Sequence, residues 1–351
     1  MSFSVKNLVR PHLLTLKPYS SAKDEYAGEN GIFLDANENP FGSATEVNYN
    51  RYPDPYQRKI KAKLAEIKGC KPSQIFLGNG SDEPIDLLFR CFCESGKDNV
   101  VILPPTYGMY EVSANINNIE LRTVNLTNDF QLNVKGILEA IDANTKFVWI
   151  CSPNNPSGNL INKEDILAVL KAANCFVVID EAYIDFAPSE TFLPKINEFD
   201  NLIILQTFSK AWGLAGLRIG MCFGNEELIY FLNKIKPPYN INIVTQEETL
   251  KALDNEAKKN DFVTYLLQEK DFLVAQLNHF QIVKNIYPTN ANFLLVKFED
   301  AKSVFDYLIS QEIILRDRSK VVLCENCIRI SVGTRSENEQ LLNQLSIFAK
   351  L

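Results

Sequence analysis

Several functional classes are excluded by what this chain lacks. Histidine occurs only twice, as His12 and His279. Neither stands near the Cys324–Cys327 pair to complete a ligand set at suitable spacing, and no metal site is expected. No apolar run approaches the ~18 residues a membrane helix needs. The opening MSFSVKNLVRPHLL lacks the basic, apolar and small-residue order of a secretion signal. A cytoplasmic protein with no membrane partner is therefore expected. Basic residues are in deficit, 36 Lys and Arg against 43 Asp and Glu, for a formal net charge of −7. Nucleic-acid surfaces are basic, so no nucleic-acid partner is expected. A small anionic substrate stays possible, because a few local arginines outweigh a distant negative surface. No repeat, low-complexity tract or long linker is visible. The eight cysteines sit mostly inside apolar runs and read as reduced, buried thiols. Cys324 and Cys327 are close enough for half a metal site or a redox pair, but no further ligands accompany them, and they read as free.

What is present is ample core material: 46% of 351 residues are hydrophobic, enough for more than one domain. Strand and helix patterns alternate between about 75 and 225. IFLGN (75–79), VVILP (100–104), IELRTVNL (119–126), KFVWICS (146–152), CFVVIDEA (175–182), NLIILQTF (201–208) and LRIGMCFG (217–224) read as strands. DEPIDLLFRCFCE (82–94), TYGMYEVSAN, NVKGILEAID and KEDILAVLKAA lie between them as helices. The continuous apolar runs suit strands covered on both faces, in a mostly parallel α/β sheet. Beyond 225 the texture changes. Residues 225–236 and about 245–278 read as helices, followed by short strands at ANFLLVKF, EIILRDRS and CIRISVG, with a helix near 301–310 and another from about 336. The first 40 residues are irregular and read as an arm. The expected division is an arm over 1–40 that packs with the small domain and a dimer partner, a large domain over 41–240 and a small α+β domain over 241–351.

In open α/β sheets, ligands bind beyond the carboxyl ends of the strands. The residues just past five of these strands are polar: Gly80-Ser81-Asp82, Pro105-Thr106-Tyr107, Asn154-Asn155 with Ser157-Gly158, Asp180-Glu181 with Tyr183, and Thr207 with Ser209-Lys210. Such a convergence is more than packing requires. Asp180 closes a buried strand and must meet a partner or suffer desolvation. Arg218 and Arg329 interrupt apolar stretches, which points to anionic partners.

The segments SPNNPSG (152–158), VVIDEAY (177–183), TFSKAWGLAGLRIG (207–220) and IRISVG (328–333) resemble, in order, the fold-type-I pyridoxal-phosphate (PLP) aminotransferases. Within that superfamily KPYSSAKDE (17–25), FLDANENPFG (33–42), NRYPDP (50–55), LGNGSDE (77–83) and LRDRS (315–319) resemble the histidinol-phosphate aminotransferase group. The resemblance spans almost the whole chain. Ser157 stands where threonine is common and Trp212 where phenylalanine is common, both conservative departures.

The resemblance implies a fold-type-I PLP-transferase, with a mostly parallel seven-stranded sheet covered by helices and a smaller α+β domain. It implies Lys210 as the lysine that links to PLP and then shuttles a proton. Asp180 would pair with the pyridine nitrogen, so that the ring can take up negative charge from the substrate. Asn155 and Tyr183 would contact the ring's 3-oxygen, and Tyr107 would stack on its face. Ser81 and Asp82, opening a helix, would hold the cofactor phosphate with Thr207, Ser209 and Arg218. Tyr52 would reach the phosphate of a neighbouring subunit, making a homodimer with shared sites. Arg329, Arg316, Tyr19 and Asn37 would contact substrate. The implied reaction exchanges the amino group of histidinol phosphate with 2-oxoglutarate, giving imidazole acetol phosphate and glutamate in histidine biosynthesis. The rivals are an aromatic or broad-specificity aminotransferase, a threonine-phosphate decarboxylase sharing Asp180 and Lys210, and a PLP-binding regulator, for whose DNA-binding segment the acidic chain leaves no room.

Overall fold

In the computed structural model, residues 3–18 and 31–350 are described. Seven strands form the main sheet: β1 (Ile75–Asn79), β2 (Asn99–Ile102), β3 (Glu120–Thr123), β4 (Thr145–Cys151), β5 (Phe176–Asp180), β6 (Leu202–Thr207) and β7 (Ile219–Phe223). Their spatial order is β1-β7-β6-β5-β4-β2-β3. β7 runs antiparallel to both neighbours, and every other pairing is parallel.

Coverage of both faces explains the unbroken apolar runs. Successive strand residues point to opposite faces. In β5, Val177 and Ile179 enter one layer of the core, while Phe176 and Val178 enter the other. The second layer is built around an aromatic pile. The Trp149 ring stacks on Phe89 at 5.5 Å and on Tyr110 at 4.9 Å. All three rings are fully buried, so each contributes area burial and ring–ring attraction together.

A second sheet contains β8 (Val283–Ile286), β9 (Phe293–Phe298), β10 (Arg316–Asp317) and β11 (Cys327–Ser331), in the order β10-β11-β9-β8 and antiparallel throughout. Helices Glu256–Leu277, Ala301–Ser310 and Arg335–Phe348 supply Leu273, Leu277, Val304, Leu308, Leu341 and Leu345 to one of its faces. Leu294, Val296, Ile328 and Ile330 meet them there. The alternate residue Leu295 belongs instead to the core of the main sheet. The small sheet is thus tied to the large body by its other face.

Two expectations change. The helix expected over about 245–278 is two helices, Ile243–Leu253 and Glu256–Leu277, separated at Asp254 and Asn255. Both residues favour caps and turns over helix interiors. The first of the two helices packs on helix Arg58–Lys68, and Ile241 and Leu253 join the main core. The strand expected at 312–319 shortens to the two residues of β10. Within the expected arm, residues 3–18 form two short helices whose Val5, Val9 and Leu13 pack with Phe92 and Leu228 on the large sheet's side. No helix among the described residues is long and apolar enough to cross a membrane.

Several of the described helices are capped by a side chain. Asn162, Asn225, Asn242 and Thr334 each accept a bond from a first-turn amide. Helix Asp82–Phe92 is among those without one: Ser81 stands at its cap position and makes no such bond. It follows the point where β7 crosses closest to the β1 turn. A Cβ on Gly220 would lie 2.3 Å from the Gly80 carbonyl carbon and 2.4 Å from the Ser81 nitrogen. Backbone atoms cannot yield as a flexible side chain does. Gly220→Ala is expected to destabilise the fold by about 2–3 kcal/mol, read as a lower denaturant midpoint. An unchanged midpoint would contradict this close approach.

Candidate active site

The ends of β1, β4, β5 and β6 and the turn after β2 open on one cavity of about 670 Å³. Its lining includes Ser81, Asp82, Tyr107, Asn155, Asp180, Tyr183, Thr207, Ser209, Lys210, Arg218, Arg316 and Arg329. Each of these was singled out from sequence. Two further candidates lie elsewhere: Asn37 is exposed in a loop, and Tyr52 stacks on Tyr239 at 4.4 Å. Tyr19 lies outside the described residues.

Asp180 ends β5 and is almost wholly buried. Its carboxylate accepts a 2.6 Å bond from the Tyr110 hydroxyl and a 3.0 Å bond from the Ala182 amide. Burial pushes its pKa up to about 6 against the pull of these donors. The charged form therefore sits at a cost that a cation in the cavity would relieve. Lys210 follows β6, the strand beside β5, with its side chain open to the cavity. Its ammonium lies 5.4 Å from the centre of the Tyr183 ring. Partial burial and then the neighbouring Arg329 lower its pKa, favouring the neutral amine.

One wall forms a cup of donors. The uncapped turn at Ser81 and Asp82 leaves backbone amides unspent. Beside it, Thr207 and Ser209 exchange a hydroxyl bond of 3.0 Å. Arg218 reaches across to Asp82 at 3.3 Å. A Cβ on Gly80, itself at φ +68°, would come 2.6 Å from the Arg218 guanidinium. The glycine is what makes room for that side chain. Amides, hydroxyls and one arginine together suit a phosphate.

The opposite wall belongs to the small sheet. Arg329 donates a 2.6 Å bond to Asn155, whose amide donates in turn to the Tyr183 hydroxyl at 3.4 Å. Burial comes first in lowering the pKa of Arg329. Arg316 pairs with Arg329 in the β10–β11 register. Tyr107 donates to Asp82 at 3.0 Å.

Comparison with known proteins agrees with this geometry. A family model described as aminotransferase class I and II matches residues 29–345. The chain belongs to the class I and II aminotransferases. It is 51% identical over 348 residues to a histidinol-phosphate aminotransferase from Cytophaga hutchinsonii, covering 99% of this chain and 100% of that one. Among solved structures it resembles the histidinol-phosphate aminotransferase from Clostridium acetobutylicum, with a TM-score of 0.80, 26% identity, and coverage of 86% and 91% of the two chains. It also resembles the Sinorhizobium meliloti enzyme, solved in complex with pyridoxal-5'-phosphate, with a TM-score of 0.78, 26% identity and 90% coverage of each chain.

Two residues of this aminotransferase escaped the sequence reading. Tyr110 lies inside a helix, and nothing in the pattern distinguishes it from core. Arg318 lines the cavity but resembles a solvated neighbour of Asp317 in sequence.

The raised pKa of Asp180 has a consequence for the ligand-free protein. Folding disfavours its charged form. The penalty is absent below about pH 4, grows as pH rises towards 6, and is complete above that. Asp180→Asn should therefore raise the melting temperature of the cofactor-free enzyme by a few degrees at pH 8 and give no gain at pH 4. Thermal scans at the two pH values check this, and lower stability at pH 8 would contradict it.

Proposed function

We propose that this chain is a PLP-dependent histidinol-phosphate aminotransferase. It exchanges the amino group of L-histidinol phosphate with 2-oxoglutarate, giving imidazole acetol phosphate and glutamate, in histidine biosynthesis. The observation that carries the reading is the pairing of Lys210 and Asp180, from the ends of neighbouring strands, in one cavity with two anion-binding walls. The near-full-length relative at 51% identity supports the choice of substrate.

The residues present fit PLP. Asp180 is a buried carboxylate that forms no salt bridge among the described residues and feels the Lys210 ammonium only as the weakest of the influences on it, and the cup at Arg218 suits a phosphate. When bound, PLP supplies an electron sink for the charge left on the substrate carbon when its proton departs. Asp180, charged above about pH 6, holds the ring nitrogen protonated. Asn155 and Tyr183 serve as hydrogen-bond partners for the ring oxygen, and Tyr107 covers the ring. Ser81, Asp82, Thr207, Ser209 and Arg218 hold the phosphate. Lys210, whose pKa is lowered by burial and then by Arg329, anchors the cofactor and then carries a proton away from the substrate Cα. Arg329 and Arg316 bind the phosphate of the donor and the carboxylates of the acceptor in turn, which lets one site serve both substrates. Tyr19, outside the described residues, and Asn37, outside the cavity lining, rest on the family resemblance alone as further substrate contacts.

The enzyme acts in the cytoplasm as a homodimer with shared sites. Tyr52 supports this reading, because it is half exposed and is not among the residues that line its own cavity.

Adding histidinol phosphate to the purified holoenzyme is expected to move the cofactor absorbance from the visible to the near ultraviolet, and 2-oxoglutarate to restore it. A response to phenylalanine alone, or carbon dioxide released from threonine phosphate, would overturn the reading. Lys210→Ala should cost roughly a thousandfold or more in turnover while leaving the fold intact. Mixing inactive Tyr52→Phe and Lys210→Ala dimers under conditions of subunit exchange should regain activity, since one site of each mixed dimer is whole. No regain despite proven exchange counts against shared sites.

A further inference from the structure

Arg318 has no part in the reactions just described, yet its surroundings are those of a ligand-binding group. It follows β10, and its backbone amide donates to the Cys327 carbonyl at 2.9 Å, which fastens it beside β11. Its side chain lines the cavity with those of Arg316 and Arg329. Its Nε is buried without a hydrogen-bond partner. Among the described residues no carboxylate pairs with any of the three arginines. They carry roughly fifteen N–H donors in all, and their one side-chain bond to the protein is that of Arg329 to Asn155.

Three like charges on one partly desolvated wall repel each other. Burial, then Arg329 and Arg316, push the pKa of Arg318 down. A single carboxylate is satisfied by one bidentate arginine. A phosphomonoester carries about −1.5 to −2 charges at pH 7 and three terminal oxygens. Its charge and its acceptors match three guanidinium groups, whereas those of a carboxylate match one. The cup at Arg218 stands on a different wall, so a second phosphate would not compete with the cofactor's own.

We propose that Arg318 is a specificity-determining residue, the third guanidinium by which this site prefers a phosphate-bearing amino donor over one ending in a hydroxyl or carboxylate. The proposal rests on the aminotransferase reading above and narrows it to the distal end of the donor. Arg329 and Arg316 hold either kind of anion. Arg318 adds the contacts that a doubly charged group can use.

The test compares holoenzymes of the natural chain, Arg318→Gln and Arg318→Lys, with the Arg218 cup filled by PLP. The kcat/KM for histidinol phosphate and for histidinol are measured, together with competitive inhibition by inorganic phosphate. Arg318→Gln is expected to lower kcat/KM for the phosphorylated donor about ten- to a hundredfold more than for histidinol, mostly through KM. The inhibition constant of phosphate should rise by a similar factor. Arg318→Lys should restore part of the preference, since it keeps the charge without the planar fork. Equal losses with both donors, or an unchanged phosphate inhibition constant, overturn the proposal. Equal losses with a lower melting temperature would mark Arg318 as a partner for a protein carboxylate instead. If the natural enzyme does not turn over histidinol phosphate at all, the functional reading fails by itself. Calorimetric binding of phosphate to the same holoenzymes then decides Arg318, with equal affinity in Arg318→Gln overturning it.

Discussion

The architecture is organised around one costly group, the carboxylate of Asp180 at the end of a strand buried on both faces. A charge in that position is tolerable only with donors aimed at it and a cation in front of it. The protein supplies the donors. The Tyr110 hydroxyl reaches the carboxylate because its ring is held flat against Trp149, which is held in turn against Phe89. The aromatic pile beneath the sheet is therefore also the support of the site. Among the described residues no salt bridge reaches Asp180, and Lys210 acts on it only weakly, which makes the cavity receptive to a pyridinium.

The same economy recurs at the rim. Helix Asp82–Phe92 has no side-chain cap and leaves its first-turn amides open beside Arg218. Gly80 and Gly220 keep the backbone thin there. On the far wall, three arginines share almost no protein acceptors. Two anion-binding walls and a buried carboxylate are each incomplete as protein structure. They are complete only as parts of a liganded enzyme, so stability is given up where binding needs it.

Legibility from sequence followed the strength of the local signal. Apolar runs such as KFVWICS and CFVVIDEA are long enough to mark doubly covered strands, and they recur as β4 and β5. The residues just past such strands are exposed to the cavity by topology, which is why Asp180, Tyr183, Ser209 and Lys210 could be singled out together. Tyr110 could not, because its hydroxyl acts across 70 residues of sequence from inside a helix. Arg318 was obscured by its neighbour Asp317, whose charge suggested a solvated loop. The break at Asp254 and Asn255 was missed because apolar spacing continues on both sides of it.

The amino-acid order alone determined the alternation of strand and helix, the approximate start of a second body, and the residue types gathered at the strand ends. Periodicity and burial of short segments are local properties, set by side chains within a few residues of one another. Tertiary structure alone decided which face of the small sheet looks at the large one. The strand period of two puts Ile328 and Ile330 into the small core and leaves Arg329 facing Asn155. That choice depends on how two sheets dock, and docking depends on distant residues whose relative placement no local pattern records.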